Sequence, residues 1–198
     1  MKKIALAALL AASFGVAHAN LLTFDDVSAS VVPAGYGGVN WGNFYELDST
    51  YSGYAGTGYR NGTVSGTHVA FNSGGSPASM SATSDQGFDL TDAFFAGAWN
   101  NNLNIVANAT FENGTHASKS FYVSTTGATD EFFNWTDLSS VTFVSSGGTG
   151  QPGLHGAGTQ FALDNVNTTA AVPEPANVAL MLAGVGLLGV MARRRRSA

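Results

Sequence analysis

Between Asn20 and Thr169 the sequence alternates short runs rich in Val, Phe, Tyr and Thr with clusters of Gly, Ser and Asn, and no helical period persists. Runs of this kind are typical of β-strands, and the clusters between them are typical of turns. Glycine accounts for 25 of the 198 residues, and charged residues for only 11%. The pattern excludes a coiled coil, a long helical bundle and a collagen-like rod. It predicts an all-β domain.

One hairpin shows the pattern most clearly. Residues Leu103–Phe111 alternate apolar residues on one face with Asn104, Asn108 and Thr110 on the other, as in a half-buried antiparallel strand. An Asn-Gly pair follows, which is a strong hairpin signal, and His116–Val123 is the predicted returning strand. The other predicted strands are Leu21–Phe24, Asn43–Leu47, Thr63–Phe71, Ser79–Thr83, Gly87–Leu90, Glu131–Trp135, Ser140–Val144 and Gln160–Val166. Short strands joined by Gly-rich turns predict an antiparallel β-sandwich, with a jelly roll favoured.

Residues 1–19 have the three parts of a secretory signal peptide. Two lysines precede a short apolar run, and Ala17 and Ala19 supply an A-x-A cleavage signal. The apolar run is too short to span a bilayer comfortably. Cleavage after Ala19 would leave Asn20 as the new N-terminus. The sequence therefore predicts an N-terminal signal helix that is removed on export.

Residues 170–198 contain a second apolar segment. Pro173, Glu174 and Pro175 precede an apolar stretch from 176 to 192. A helix over this stretch would be about 25 Å long, slightly less than a hydrocarbon core of ~30 Å. Four arginines follow it: Arg193, Arg194, Arg195 and Arg196. By the positive-inside rule they would hold that end in the cytoplasm. The sequence thus predicts a C-terminal transmembrane helix after the β-sandwich domain, which occupies residues 20–169.

This three-part tail resembles the PEP-CTERM sorting signal. The Pro-Glu-Pro motif at 173–175, a glycine-containing apolar helix and an arginine-rich end follow in the same order and spacing. The resemblance implies export in a Gram-negative bacterium that makes exopolysaccharide. It also implies cleavage near the motif by an exosortase, a membrane cysteine transpeptidase. The tail would anchor the protein in the inner membrane until processing, and the product would reach the cell surface or extracellular matrix. A permanent anchor is the alternative.

The charges are distributed unevenly. Twelve of the thirteen acidic residues lie between Asn20 and Val172, where the only lysine or arginine residues are Arg60 and Lys119. Such an acidic segment repels the phosphates of nucleic acids, so a nucleic acid partner is not expected. The chain has no cysteine, which excludes disulfides, cysteine-based metal sites and thiol chemistry.

Carboxylates near both ends of the domain form a candidate metal site. Asp25 and Asp26 follow the first predicted strand, and Asp164 lies in the last one. The first and last strands of a jelly roll often pair, which would bring Asp25 or Asp26 near Asp164. Clustered carboxylates repel one another unless a hard cation such as Ca²⁺ neutralises them. These terminal motifs also resemble those of exported carbohydrate-binding jelly rolls, which implies a structural calcium. The alternative is that these acids cap strand ends and face water.

Tyr51, Tyr54 and Tyr59 lie among glycines and form a second candidate site. Tyrosine rings pack against the apolar faces of pyranose rings, so these residues, with Trp41 and Tyr36, could form a carbohydrate platform. The alternative is that the glycines make turns and the tyrosines cover an edge of the sandwich.

No catalytic residue is predicted, because the sequence lacks a G-x-S-x-G elbow, an H-E-x-x-H helix and a phosphate-binding loop. These features together predict a non-enzymatic surface or matrix protein that acts in adhesion, in an exopolysaccharide or biofilm matrix, or in carbohydrate binding. Its expected partners are the secretion machinery, an exosortase, the membrane through the C-terminal helix, and a glycan. The alternative is a secreted polysaccharide-active hydrolase or lyase on a jelly-roll scaffold, which would need converging carboxylates or a Tyr/His pair.

Overall fold

The computed structural model describes residues 19–28 and 30–170. The predicted signal peptide through residue 18, including Ala17, lies outside the described residues, as does the sorting segment from 171 onward with its Pro-Glu-Pro motif and arginines. In the described part of the chain, no helix is both long enough and apolar enough to cross a membrane. The fold is therefore that of the central domain.

The regular secondary structure of the described domain is almost entirely antiparallel strand, as the sequence predicts. The strands are β1 (Ala19–Leu22), β2 (Val39–Gly42), β3 (Phe44–Asp48), β4 (His68–Asn72), β5 (Ala78–Ala82), β6 (Phe88–Gly97), β7 (Asn100–Asn101), β8 (Leu103–Phe111), β9 (His116–Val123), β10 (Thr129–Ser146), β11 (Thr149–Gly150) and β12 (Phe161–Ala170). One helical turn, α1 (Gly58–Asn61), and 3₁₀ turns at Tyr36–Gly38, Ser52–Tyr54 and Ser73–Gly75 connect them.

Apart from β7 and β11, which pair with each other in a separate two-stranded sheet, the strands form two sheets that share β10. The first sheet has the order β9–β8–β10–β5–β2, and the second has the order β10–β6–β12–β4–β3, with β1 beside β12. The first part of β10 pairs with β6, and residues 138–146 pair with β8. Its register shifts near Asn134 and Asp137, whose φ angles are 51° and 56°. Because bulges bend a strand, β10 can pass from one sheet to the other.

The first and last strands of the domain are neighbours. Ala19 lies opposite Thr169, and Leu22 lies opposite Val166. The predicted signal cleavage after Ala19 would remove only the first residue of β1. The mature N-terminus would therefore begin beside the end of β12.

Phenylalanine rings from several strands fill the space between the sheets. Phe95 of β6 is fully buried, with its ring centroid 5.0 Å from that of Phe121 and 5.4 Å from that of Phe143. Phe161 and Phe133 lie 5.7 Å and 6.1 Å from the same ring. Such tilted and edge-on arrangements are the preferred geometry of aromatic pairs. The core thus joins β6, β9, β10 and β12.

The second sheet is also covered on its outer side. Tyr59 of α1 packs there with Ala96 and Ala162, and Trp99 and Tyr54 pack around this smaller cluster. This explains why β6 and β12 carry apolar residues on both faces. Strands buried on both faces read as continuous apolar runs rather than alternating ones.

The strand boundaries differ from the prediction where tertiary contacts decide them. The two predicted strands Glu131–Trp135 and Ser140–Val144 are parts of the single strand β10. The predicted strand Thr63–Phe71 begins only at His68, because residues before it form a loop. By contrast, β8 and β9 have the predicted limits.

Candidate functional site

The outer face of the first sheet is a largely polar surface, interrupted where Val106 lies opposite Val144. The core-facing positions of its strands are apolar except for Lys119 in β9 and Ser145 in β10, and the alternate positions point away from the core. Those positions are Asn40 and Gly42 in β2; Ser79 and Ser81 in β5; Asn104, Val106, Asn108 and Thr110 in β8; His116, Ser118, Ser120 and Tyr122 in β9; and Ser140, Thr142, Val144 and Ser146 in β10. We call this set the amide–hydroxyl face. It carries no aspartate, glutamate, lysine or arginine.

The strand register places two asparagine–serine pairs side by side on this face. Asn104 lies opposite Tyr122 and Asn108 lies opposite Ser118 in the β8–β9 ladder. The Ser118 hydroxyl donates to Oδ1 of Asn108 at 3.2 Å. The Ser120 hydroxyl donates to Oδ1 of Asn104 at 2.7 Å. With each Oδ1 atom engaged by a serine, the Nδ2 groups face outward as donors to a ligand.

One large aromatic side chain is exposed on the amide–hydroxyl face. Tyr122 is 61% exposed and lies directly opposite Asn104. A tyrosine ring presents an apolar surface and a polar hydroxyl, which suits an amphipathic ligand. Sequence reasoning identified Asn104 and Asn108 as outward-facing but did not single out Tyr122 or the two serines. Their alternation along β9 was the available signal, but the cross-strand pairs depend on register.

Two of the predicted metal-site carboxylates, Asp25 and Asp164, contact the same loop, where both accept hydrogen bonds from backbone groups. Asp25 accepts hydrogen bonds from the N–H groups of Thr67 at 2.8 Å and His68 at 3.1 Å. Asp164 is fully buried and accepts from the N–H groups of Val64 at 2.7 Å and Ser65 at 3.1 Å. Two carboxylates from opposite ends of the domain sequence therefore hold the same loop at 64–68.

Gly66 shows how closely this loop approaches Asp25. Its φ angle is +54°, and a Cβ atom at this position would lie 2.0 Å from the Asp25 carboxylate oxygens. A side chain here would be strained by the backbone angle and would collide with the carboxylate. A glycine is needed for the loop to reach both acids.

The pKa values of Asp25 and Asp164 are shifted in opposite directions. Burial raises the pKa of Asp164 to about 6, against the lowering effect of the N–H groups of Val64, Ser65 and Asn165; the charge of Asp25 raises it further. Burial also acts to raise the pKa of Asp25, but the N–H groups of Thr67 and His68 outweigh it and lower the pKa. The pKa of Asp164 is thus raised mainly by its burial, and the charge of Asp25 is the smaller cause.

Asp26, the third predicted metal ligand, has a different partner. The Tyr36 hydroxyl donates to its Oδ1 at 2.7 Å and accepts from the Phe24 N–H at 3.2 Å. Burial and this carboxylate raise the pKa of Tyr36. No cluster of three or more His, Cys, Asp or Glu side chains suited to a metal occurs within residues 19–28 and 30–170. A calcium site at Asp25, Asp26 and Asp164 stays a prediction.

The tyrosine segment is divided between exposed and buried positions. Tyr51 is 65% exposed and Tyr59 only 4%, with Tyr54 between them in a series of edge-on ring contacts. Tyr36 and Trp41 belong instead to the main core cluster. The five aromatic side chains therefore do not all join one cluster, and the buried tyrosine covers the outer side of the second sheet.

Another group of carboxylates lies on the second sheet near Lys119. Glu131 pairs with Lys119 at 2.7 Å, and Asp92 accepts a hydrogen bond from Asn167 at 2.6 Å. Burial and the charges of Asp92 and Glu131 raise the pKa of Asp130. Glu131 and Asp92 are therefore engaged in structural contacts, whereas the Oδ1 atom of Asp130 is buried with no hydrogen-bond partner in the described part of the chain.

Comparison with known proteins gives one match in sequence and several in fold. Residues 171–196 match the family model of the PEP-CTERM protein-sorting motif. No curated protein matches the chain. A DUF4465 family protein from Bacteroides caccae is 9% identical, with a TM-score of 0.50 over 78% of this chain and 100% of that chain. At this identity the likeness concerns the fold alone.

Two further solved structures are similar at lower scores. TmCBM61, solved in complex with β-1,4-galactotriose, is 9% identical, with a TM-score of 0.41 over 72% of this chain and 99% of that chain. The K2 cleaved adhesin domain of Lys-gingipain is 10% identical, with a TM-score of 0.46 over 77% of this chain and 98% of that chain. The sorting motif and the strand arrangement together identify the chain as an exported β-sandwich protein that carries a PEP-CTERM protein-sorting motif.

Proposed function

We propose that this protein is a non-enzymatic glycan-binding protein of the cell surface or extracellular matrix, released from the inner membrane by an exosortase. The observation that carries the binding role is the amide–hydroxyl face, where uncharged hydrogen-bonding groups and the exposed ring of Tyr122 lie together on one sheet.

The chemistry of this face suits a polysaccharide. Sugar rings present many hydroxyl groups, each of which can donate and accept hydrogen bonds. Amide and hydroxyl side chains do the same. Neighbouring strands lie about 4.8 Å apart, and alternate residues along a strand about 6.7 Å apart, so the face is a regular array of such groups. An extended polymer can contact several of them at once.

The rigidity of the face favours binding. Asn104 and Asn108 are on a strand paired on both sides, and serine hydroxyls hold their amides. Side chains that are already ordered lose less conformational entropy when a ligand binds. The face is therefore suited to a ligand that forms several weak contacts.

The contacts made by several carboxylates of the domain favour a binding protein over a hydrolase. A glycosidase needs two carboxyl groups on opposite sides of one glycosidic bond, one of them to donate a proton. Glu131 is paired with Lys119, and Asp92 is held by Asn167. Asp25 and Asp164 hold the 64–68 loop. Each of these four side chains has a structural partner in place of a substrate, and Asp130 beside them is the one carboxylate of this group with an unpartnered buried Oδ1 among the described residues.

A glycan array tests the binding role. We expect the exported protein to bind at least one polysaccharide and Tyr122→Ala to weaken that binding about tenfold, a loss of ~1.4 kcal/mol. Tyr51→Ala is the matched control, because Tyr51 is equally exposed but lies outside the amide–hydroxyl face. Loss of binding in Tyr51→Ala with full binding in Tyr122→Ala would move the site to the tyrosine segment. Depolymerisation of the bound glycan would contradict the non-enzymatic role.

Processing of the tail is tested separately. Replacing Pro173, Glu174 and Pro175 with alanine removes the motif but leaves the apolar stretch intact. We expect the variant to stay uncleaved and bound to the membrane fraction, while the wild-type protein is trimmed and released. Intact mass and fractionation measure both effects. Normal trimming of the alanine variant would reject exosortase processing.

A further inference from the structure

The basic side chains of the domain are already engaged. Arg60 donates to the carbonyl oxygens of Ser49 and Tyr51. Lys119 pairs with Glu131 at 2.7 Å and donates to the Phe132 carbonyl at 2.8 Å. These are the only lysine or arginine residues between Asn20 and Val172. Neither belongs to the amide–hydroxyl face.

The acidic residues are also placed away from that face. The twelve acids of the domain lie in loops, on the second sheet or at its rim, and none lies at the outward positions of β2, β5, β8, β9 or the second half of β10. They exceed the two basic residues by ten charges. A ligand on the amide–hydroxyl face thus meets no lysine or arginine, with His116 at the hairpin end as its one basic side chain, and it approaches a protein of net negative charge.

A carboxylated or sulfated polymer binds less favourably for two reasons, the net charge of the protein and the lack of lysine or arginine on the face. The net charge repels it, and at ~0.1 M salt this repulsion acts over about 10 Å. On the face itself, its charged groups would be partly desolvated with no lysine or arginine to compensate them. A neutral polymer avoids both costs and can use the Nδ2 donors of Asn104 and Asn108.

We infer that the amide–hydroxyl face selects neutral polysaccharides over uronic acid and sulfated ones. This inference rests on the proposed function and specifies its substrate class. The repulsive part weakens as salt rises, whereas the lack of lysine or arginine on the face does not depend on salt. The selectivity should therefore fall at high salt but persist.

Matched oligosaccharides test the selectivity directly. Cellohexaose, mannohexaose and laminarihexaose are compared with their C6-oxidised forms, which keep the backbone and replace a hydroxymethyl group with a carboxylate. Binding to the full exported protein is measured by calorimetry at low and high salt, with a chelator present so that divalent cations cannot bridge. We expect each oxidised form to bind at least about tenfold more weakly than its neutral parent at low salt, and the gap to narrow at high salt.

Adding a cation to the face tests its cause. Asn108 is exposed, so Asn108→Lys places a positive charge beside Ser118. We expect this variant to bind the oxidised forms several-fold better than the wild-type protein does. Ser52→Lys makes the same change in net charge at an exposed position outside the face. It should improve binding of the oxidised forms little or not at all.

The outcomes separate this inference from the proposed function. If oxidised and neutral forms bind equally well, and Tyr122→Ala weakens both, the glycan-binding role stands and the selectivity is wrong. If Ser52→Lys improves binding of the oxidised forms as much as Asn108→Lys does, the selectivity comes from net charge alone. The inference that the face contributes to it would then be wrong. Absence of binding to every polymer on the array and in this set overturns both proposals.

Discussion

Replacing Phe95 with alanine should lower the free energy of unfolding by about 3–5 kcal/mol and the melting temperature by about 10 °C. The ring is fully buried and lies within 5.0–5.7 Å of the rings of Phe121, Phe143 and Phe161. Its removal leaves a cavity where four strands meet, and strands fixed in a hydrogen-bonded sheet cannot close it. Urea denaturation followed by tryptophan fluorescence measures the change.

Phe132→Ala is the matched control for this core substitution. Phe132 lies in β10, but its side chain is 57% exposed. Its removal exposes little and opens no internal space, so the expected cost is below about 1 kcal/mol. Similar losses in the two variants would contradict the central place of Phe95 in the core.

Replacing Asp164 with alanine should cost about 2–4 kcal/mol, because it leaves the N–H groups of Val64, Ser65 and Asn165 without their acceptor. Relief from burying the carboxylate offsets part of this loss. We expect the 64–68 loop to open before the sheets do. Amide hydrogen exchange should show faster exchange at Val64 and Ser65 while β8 and β9 stay protected.

Asp164→Asn separates the charge of Asp164 from its hydrogen bonds. The asparagine keeps one acceptor oxygen for the loop but carries no titratable group. Because the folded-state pKa of Asp164 is raised from 3.8 to about 6, its contribution to stability is fully present below pH ~4 and is lost as the pH rises through 6. The stability of the wild-type protein relative to Asp164→Asn should therefore be about 1 kcal/mol greater at pH 5 than at pH 7. A difference that does not change between these pH values would contradict the raised pKa.

Alternation in sequence was enough to predict the strands that have one buried face. Strands β8 and β9 have the predicted limits, because apolar residues alternate there with Asn, Ser and Thr. Strand β6 extends well beyond the predicted Gly87–Leu90, because its second half is covered on both sides and does not alternate. The sequence does not reveal which strands are covered twice.

Other differences come from contacts between distant residues. The loop at 64–67 falls inside the predicted strand Thr63–Phe71, but Asp25 and Asp164 hold it through its backbone N–H groups. The predicted strands Glu131–Trp135 and Ser140–Val144 are continuous in β10, and the register shifts within this strand occur where Asn134 and Asp137 have left-handed backbone angles. Asparagine and aspartate adopt that conformation more readily than other non-glycine residues, but their presence alone does not predict it.

The candidate site was only partly visible in the sequence. The outward positions Asn104 and Asn108 follow from the period of β8. Their bonds to Ser118 and Ser120 depend on the register of the hairpin, which places these residues on adjacent strands. The uncharged character of the whole face became apparent only when five strands were assembled.

The place of β12 in the sheet has a mechanical consequence. This strand leads directly to the sorting segment and is hydrogen-bonded to β6 on one side and to β4 and β1 on the other. If a polymer pulls on the domain while its C-terminal end is held, the load enters along an interior strand, where many hydrogen bonds share the force in shear. The same load applied through the N-terminus would instead act on β1, a four-residue edge strand that can peel away one bond at a time.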